Sequence, residues 1–498
     1  MDRPDFPRGL RHGRDARQSI AKPAGGTAGN VSSAGETFCP GTIEKSQRNI
    51  AKSESSAWKI QEEVEVKNLH IPVEHTTLAN GLRVVVSPDR SAPVVTVGVY
   101  YQIGFRLEPF GRSGFAHLFE HMMFQGSANA GKMEHIRLIN SSGGMLNGTT
   151  NYDITNYFES VPSNALERVL WLEADRMRAL KVDDENLRNQ RDVVKEEVRV
   201  NVMNQPYGGF PWLDLPPVAF RNWPNAHNFY GDFADLDAAT LADVQNFFRT
   251  YYAPNNAVLL MVGDLDPAES FSLAKKYFED IPTHPLPPVA DVSEPPQIEE
   301  RRGAVPEKFG PLPAIAIGYT VPPRDNPDWC AAAILDRALH GGRVGRIYRR
   351  LVLEKEIAVE TDGGADIIET NGPTQMVTRI FHTPEENSDD VIAAFDEVIR
   401  EIQEQGITEE ELAPVKVKLR ADLYSNLEGG MGAHMPRFGL MHYLACFTLF
   451  DGDPNRINTV LEGFQAVTAA QVQAAAKKYL VPRNRAILVR QPVAKAAA

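Results

Sequence analysis

The sequence predicts an α+β protein made of two homologous α/β domains, about residues 68–282 and 297–498. Three observations carry this: a repeat 228 residues apart, a proline-crowded stretch between its copies, and β-prone segments alternating with helix-prone ones.

The repeat aligns "TLADVQNFFRTYYAPNNAVLLMVG" from Thr240 with "TAAQVQAAAKKYLVPRNRAILVRQ" from Thr468. Thr240/Thr468, Val244/Val472, Gln245/Gln473, Tyr251/Tyr479, Pro254/Pro482, Asn256/Asn484 and Leu260/Leu488 are identical without a gap. Each copy reads as a helix that ends before its proline, followed by an apolar strand. Between the copies, "IPTHPLPPVADVSEPPQIEE" carries prolines at 282, 285, 287, 288, 295 and 296, which favours an extended linker over 283–296.

Along the first half, ordered structure is expected to begin near His75. "HTTLANGLRVVVSPDRSAPVVTVGVYYQIG" reads as strands, with Asn80-Gly81 and Pro88-Asp89 supplying turn chemistry. Residues 112–126 lack proline and read as a helix, Asn147–Pro162 returns to β-prone residues, and helical patterns follow at Asn164–Leu180 and Glu185–Met203. Residues 1–67 read as a disordered tail. Their start, "MDRPDFPRGLRHGRDARQSIAK", is basic but leads into Gly, Ser and Thr, not the apolar core of an export signal. An Arg-rich leader would also suit an organellar transit peptide, but Asp2, Asp5 and Asp15 argue against that.

A chain of 498 residues is too long for one ordinary core, and 43% hydrophobic with 23% charged residues is globular composition. The formal charge of −13 disfavours nucleic acid and anionic membrane surfaces as partners. Apolar runs such as Ala257–Val262 are strand-length, too short to span a bilayer. The expectation is a soluble protein without a signal peptide, cytoplasmic in preference to periplasmic. Cys39, Cys330 and Cys446 are scattered, with no C-x-x-C spacing and no disulfide framework.

The chemistry concentrates in "GFAHLFEHMMFQG", residues 114–126. On a helix, His117 and His121 share one face with Glu120 beside them. Two imidazoles so spaced can chelate zinc, which at a catalytic site takes a third protein ligand and keeps a position open for water. Glu120, next to the metal but not bound to it, is placed to take a proton from that water. The order H-x-x-E-H reverses the zincin H-E-x-x-H and is the inverzincin signature. Taken alone, the pair also reads as two structural histidines on a half-buried helix.

The wider sequence resembles the pitrilysin family of zinc peptidases, which includes insulin-degrading enzyme and the mitochondrial processing peptidase. The resemblance spans nearly all of residues 75–490, through "GRSGFAHLFEHMMFQGS", "GGMLNGTTNYDITNYFESVP", "NQRDVVKEEVRV", "FFRTYYAPNNAVLLMVGDLDP" and "LHGGRVGRIYRRLVLEKEIAVE". It implies that each domain is a mainly antiparallel sheet covered by helices, the pair forming half of a clamshell. It also implies one Zn²⁺ per chain in the first domain and none in the second. The family's third ligand is a downstream glutamate, and its spacing falls on Glu197, 76 residues beyond His121, and not on Glu196. Asp192, Val193, Val194 and Lys195 fit the same pattern. Where the family commonly has a second glutamate, seven residues before the ligand, this chain has Gln190, which keeps hydrogen bonding near the metal ligands but not charge. Asn147–Glu159 resembles the family's edge strand, which binds extended substrate by β-addition and would put Asn147 and Thr149 beside the cleft. "NGTTNYD" also reads as a plain polar hairpin.

In single-chain relatives the second domain supplies an arginine and a tyrosine near the scissile bond. Here those places fall on Val352 and Val359, with Arg350 and Arg349 two and three positions before Val352 and Tyr348 next to them. Half-size members close their chamber by pairing with a second chain. The resemblance therefore implies a zinc endopeptidase that cuts extended or unfolded peptides in a closed chamber, with Glu120 activating water. The partner it implies is a homologous non-zinc subunit that supplies the Arg and Tyr, a homodimer being the alternative. A non-catalytic subunit of a larger complex is the competing reading, and an intact His117, Glu120, His121 and Glu197 set speaks against it.

Overall fold

The computed structural model describes residues 69–429 and 435–493, so the expected tail 1–67 and Cys39 lie outside the described residues. The first sheet contains β1 (Glu74–Thr77), β2 (Arg83–Pro88), β3 (Val94–Tyr101), β4 (Met145–Thr150), β5 (Thr155–Pro162) and β6 (Ala257–Gly263), in the order β1-β2-β6-β3-β5-β4. The second contains β7 (Arg301–Glu307), β8 (Ala314–Val321), β9 (Ala358–Ala365), β10 (Thr374–His382) and β11 (Arg485–Pro492), in the order β7-β11-β8-β10-β9. Every pairing is antiparallel except β2 with β6 and β11 with β7.

The two sheets have matching plans. The repeat's strands, β6 and β11, each lie between a parallel neighbour and an antiparallel one, and β4 and β9 are the corresponding edges. The repeat's helices, Leu241–Tyr251 and Ala469–Tyr479, both start in a capping box, on Thr240 and Thr468. Pro254 and Pro482 then open one tight turn before each strand. The repeated asparagine does the same work twice: the Asn256 amide donates to Tyr251 O at 2.8 Å, and the Asn484 amide to Tyr479 O at 2.7 Å.

β6 is buried along its whole length because both of its faces are covered. Leu259 and Met261 join a core with Phe119, while Val258, Leu260 and Val262 join another with Met441 and Leu444 of the helix Phe438–Cys446. The proline-rich stretch has no helix or strand between Phe278 and Arg301, yet it is tied down. Asn222 and Asn225 side chains donate to Asp291 O at 2.6 Å and Val292 O at 2.8 Å, which satisfies carbonyls that a proline-broken segment cannot pair in a ladder. No helix among the described residues is long and apolar enough to cross a membrane.

Four helices frame the first sheet's site: α1 (Phe115–Met122), α2 (Glu134–Ser141), α3 (Leu166–Ala179) and α4 (Asp184–Val198). α1 is shorter than the expected 112–126. The expected Glu185–Met203 helix is regular only to Val198, and Arg199–Met203 widens into a π-helical turn.

Candidate metal centre

α1 enters through Gly114 at φ 84°, a left-handed conformation that suits glycine, and has no side-chain cap of its own. The buried Glu108 carboxylate serves instead, accepting from Gly114 N at 2.9 Å and Ala116 N at 2.7 Å. His227 Nε2 lies 3.2 Å from that carboxylate and 2.8 Å from Phe105 O. Phe115, Leu118, Phe119 and Met122 bury the apolar stripe of α1 in the core, so His117, Glu120 and His121 share the remaining side. α4 is capped by Asp183, which accepts from Asn186 N at 2.8 Å. It packs Leu187 and Val194 inward and turns Glu197 toward α1.

These two helices bring the three expected ligands together. Glu197 Oε2 lies 3.2 Å from His121 Nε2 and 3.8 Å from His117 Nε2, and the three ligand atoms fall within 4.8 Å of one another. Ligands about 2.0–2.1 Å from a tetrahedral ion stand about 3.3–3.4 Å apart, so the trio fits zinc after small adjustments. His117 is 3% exposed, and its imidazole is pulled down to about 4 by burial and by neighbouring His121, against the opposing charge of Glu197. At neutral pH it is therefore in the uncharged, ligating form. Glu197 is held below the usual carboxylate range, chiefly by its hydrogen bond with His121, against a burial contribution that raises it.

Glu120 sits beside this trio without joining it. Burial raises its carboxyl, opposed by a hydrogen bond from Thr150 and the His121 charge. β4 passes directly over it: a Cβ on Gly148 would stand 3.3 Å from Glu120 Cγ. Strand alternation then sends Asn147 and Thr149 to the other face. Thr149 donates to Asn156 Oδ1 at 3.0 Å, and Asn147 is exposed. β4 is the free edge of its sheet, so a peptide approaching it meets backbone groups beside Glu120. Gln190 is buried on α4, two turns before Glu197.

In the second half, Val352 packs against the core and Val359 is exposed on β9. Arg350 is engaged by Glu354 at 3.0 Å and Glu401 at 2.7 Å. A second group of metal-binding residue types, His135, Glu159 and Glu173, is fully buried near α3. Arg176 already supplies its positive charge, with Nε donating to Glu173 at 2.9 Å and a second nitrogen 3.4 Å from Glu159, so the cluster is a charged core. Sequence reasoning missed Glu108, Thr150, Phe229 and Tyr230, which reach the site from loops and the β4 edge. Phe229 and Tyr230 each set their ring 5.2 Å from that of His117, edge to face.

A family model described as Insulinase (Peptidase family M16) matches residues 83–207, and one described as Peptidase M16 inactive domain matches residues 238–419. His117, Glu120, His121 and Glu197 all lie within the first match. Zinc protease PqqE of Helicobacter pylori is 30% identical over 358 residues, covering 71% of this chain and 80% of that protein. The probable mitochondrial-processing peptidase subunit beta of Arabidopsis thaliana is 30% identical over 211 residues, covering 42% of this chain and 39% of that one. The crystal structure of a protease from Helicobacter pylori matches with a TM-score of 0.78 at 26% identity, over 85% of this chain and all of that one.

Proposed function

The chain belongs to peptidase family M16, and from that premise we propose that it is a zinc endopeptidase cutting extended or unfolded peptides. The carrying observation is the convergence of His117, His121 and Glu197, with buried Glu120 beside them and the open edge of β4 alongside. His117, His121 and Glu197 would hold one zinc, which when bound supplies a Lewis acid that polarises water and the scissile carbonyl. The Glu120 carboxylate takes the proton of the attacking water and returns it to the leaving amine. The backbone of β4 pairs with an extended substrate, which gives affinity with little sequence choice, and Asn147 and Thr149 border that strip. Gln190 supports the α4 side of the centre by hydrogen bonding.

Two homologous domains, 68–282 with the zinc and 297–498 without it, are supported by the matching strand orders and the repeat. The partner reading is a homologous non-zinc subunit, because Val352 and Val359 offer no hydrogen bond to a carbonyl. The name of the second family model favours a non-catalytic subunit as the alternative, but its match, 238–419, excludes all four site residues.

Elemental analysis and a quenched-peptide assay test the proposal. About one zinc per chain is expected, lost in His121→Ala and retained in Glu120→Gln. Glu120→Gln should lose cleavage by about 10²–10⁴-fold, because an amide accepts no proton. A wild-type chain without zinc, or Glu120→Gln cleaving at the wild-type rate, overturns it.

A further inference from the structure

The short segment Gly104–Glu108, which leads toward α1, touches both parts of the candidate site. At its far end Glu108 caps α1. Two residues earlier, Arg106 is turned toward the β4–β5 turn, residues 151–154. Phe105 N donates to Asn151 O at 3.2 Å and Arg106 N to Tyr152 O at 3.0 Å, so the two backbones run together. At Gly104 a Cβ would collide with Asn151 O. The Arg106 guanidinium lies 4.9 Å from the centre of the Tyr152 ring and is wholly buried. Its Nη1 donates to both oxygens of Asp153, at 3.3 Å and 3.2 Å, and its Nη2 donates to Pro373 O at 2.9 Å. Asp153 is held from the second half as well, since its Oδ2 accepts from Asn371 N at 2.7 Å.

We propose that Arg106 is a positioning residue for cleavage: by fixing the β4–β5 turn against both the approach to α1 and the segment 371–373, it sets the distance of the β4 edge from Glu120. β4 needs such a fastening. It is laddered to β5 on one side only, which leaves its other side unpaired. Thr150, its last residue, sets its hydroxyl 3.5 Å from Ala116 O of α1, and Gly148, two residues earlier, faces Glu120. A shift of the turn is therefore passed directly to the strip where a substrate strand would lie. Arginine suits the task because its planar fork makes bonds in fixed directions, whereas a lysine ammonium is one point of charge on a flexible stem. Through Asn371 and Pro373 the second half thus acts on the site from a distance.

The inference rests on the zinc-endopeptidase reading above, and its test separates the two. Wild type, Arg106→Lys and Gly372→Ala would be compared for zinc content, metal-free melting temperature, and kcat and KM on a quenched peptide. Lysine keeps a charge beside Asp153 but cannot reproduce the fork, and a Cβ on Gly372 would collide with Arg106 Nη1 and displace the guanidinium from the second-half side. Both variants should hold about one zinc per chain and lower kcat about 10–100-fold, the cost of misplacing reacting groups by up to an ångström. KM should change far less, because the backbone groups of β4 remain to pair with substrate. The two substitutions act on one guanidinium, so the double variant should lose little more than the worse single one. If Arg106→Lys does not fold, Gly372→Ala decides alone. Wild-type kcat in the zinc-loaded variants overturns the positioning role, as does a fall in melting temperature and zinc content with kcat per bound zinc unchanged. A wild-type chain that holds no zinc overturns the zinc-endopeptidase reading itself.

Discussion

At the residue scale, Gly148 shows how closely the edge strand and Glu120 are fitted. A methyl group there would meet Asn156 O and Tyr157 Cδ1 at 3.1 Å and Glu120 Cγ at 3.3 Å, and the Glu120 side chain is the neighbour with the most freedom to yield. Gly148→Ala should therefore retain zinc but lower turnover about 10–100-fold, the cost of misplacing a catalytic group by a fraction of an ångström to an ångström. Metal content and turnover measured on the same preparation check this, and wild-type turnover would show that Glu120 is not confined by β4. Asp89 offers a pH test away from the site. Burial raises its carboxyl, but hydrogen bonds from Arg437 and Ser91 and the Arg437 charge outweigh it and hold the group at about 2. Because the folded value lies below the unfolded one, the stabilisation is present above about pH 4 and is lost as pH falls toward 2. Asp89→Asn should melt slightly below wild type near neutrality, the pair being partly exposed, and the gap should close on acidification.

At the scale of elements, the duplicated helix, turn and strand make an internal control. The capping boxes on Thr240 and Thr468 have the same geometry, each hydroxyl accepting from the N3 amide, at 3.2 Å and 3.3 Å. Thr240→Ala and Thr468→Ala should each cost about 1 kcal/mol. The helices share no partner, so the double variant should lose about the sum. Urea midpoints of the three variants measure this. Strong departure from additivity would mean that the two copies do not unfold in one cooperative step. The repeat was legible because it consists of capping, proline and strand signals that act locally. The end of α4 was not: residues 199–203 keep a helical pattern, and the wider turn there is a matter of backbone geometry.

At the scale of the whole molecule, the first half holds the candidate ligands and Glu120 beside the edge strand β4, while the second repeats the sheet plan, its edge strand β9 included, with no such cluster among the described residues. Val359 is exposed on the edge strand β9, and Arg350 is already committed to Glu354 and Glu401. The single chain should accordingly be a slow peptidase, short by about 10²–10³-fold for one missing oxyanion donor, and a homologous non-zinc partner should restore the rate. A quenched-peptide assay with and without the partner decides this; full activity from the isolated chain, unchanged on mixing, would reject the requirement.

The sequence by itself determined the repeat and the strand and helix types, and it singled out His117, Glu120, His121 and Glu197 as candidates, because those depend on spacing along one element or on a recognisable family pattern. It also placed β4 at an edge. Only the tertiary structure decided that Asn147 and Thr149 turn to the face away from Glu120, that the proline-rich stretch is fastened by Asn222 and Asn225, and that Glu108 caps α1 in place of a local residue. It alone brought Phe229 and Tyr230 against His117. The physical reason is common to these cases. Apart from the β4 alternation, which depends only on which face Glu120 meets, these contacts are made through loops whose path depends on what they pack against, and no periodicity or cap signal records such a meeting.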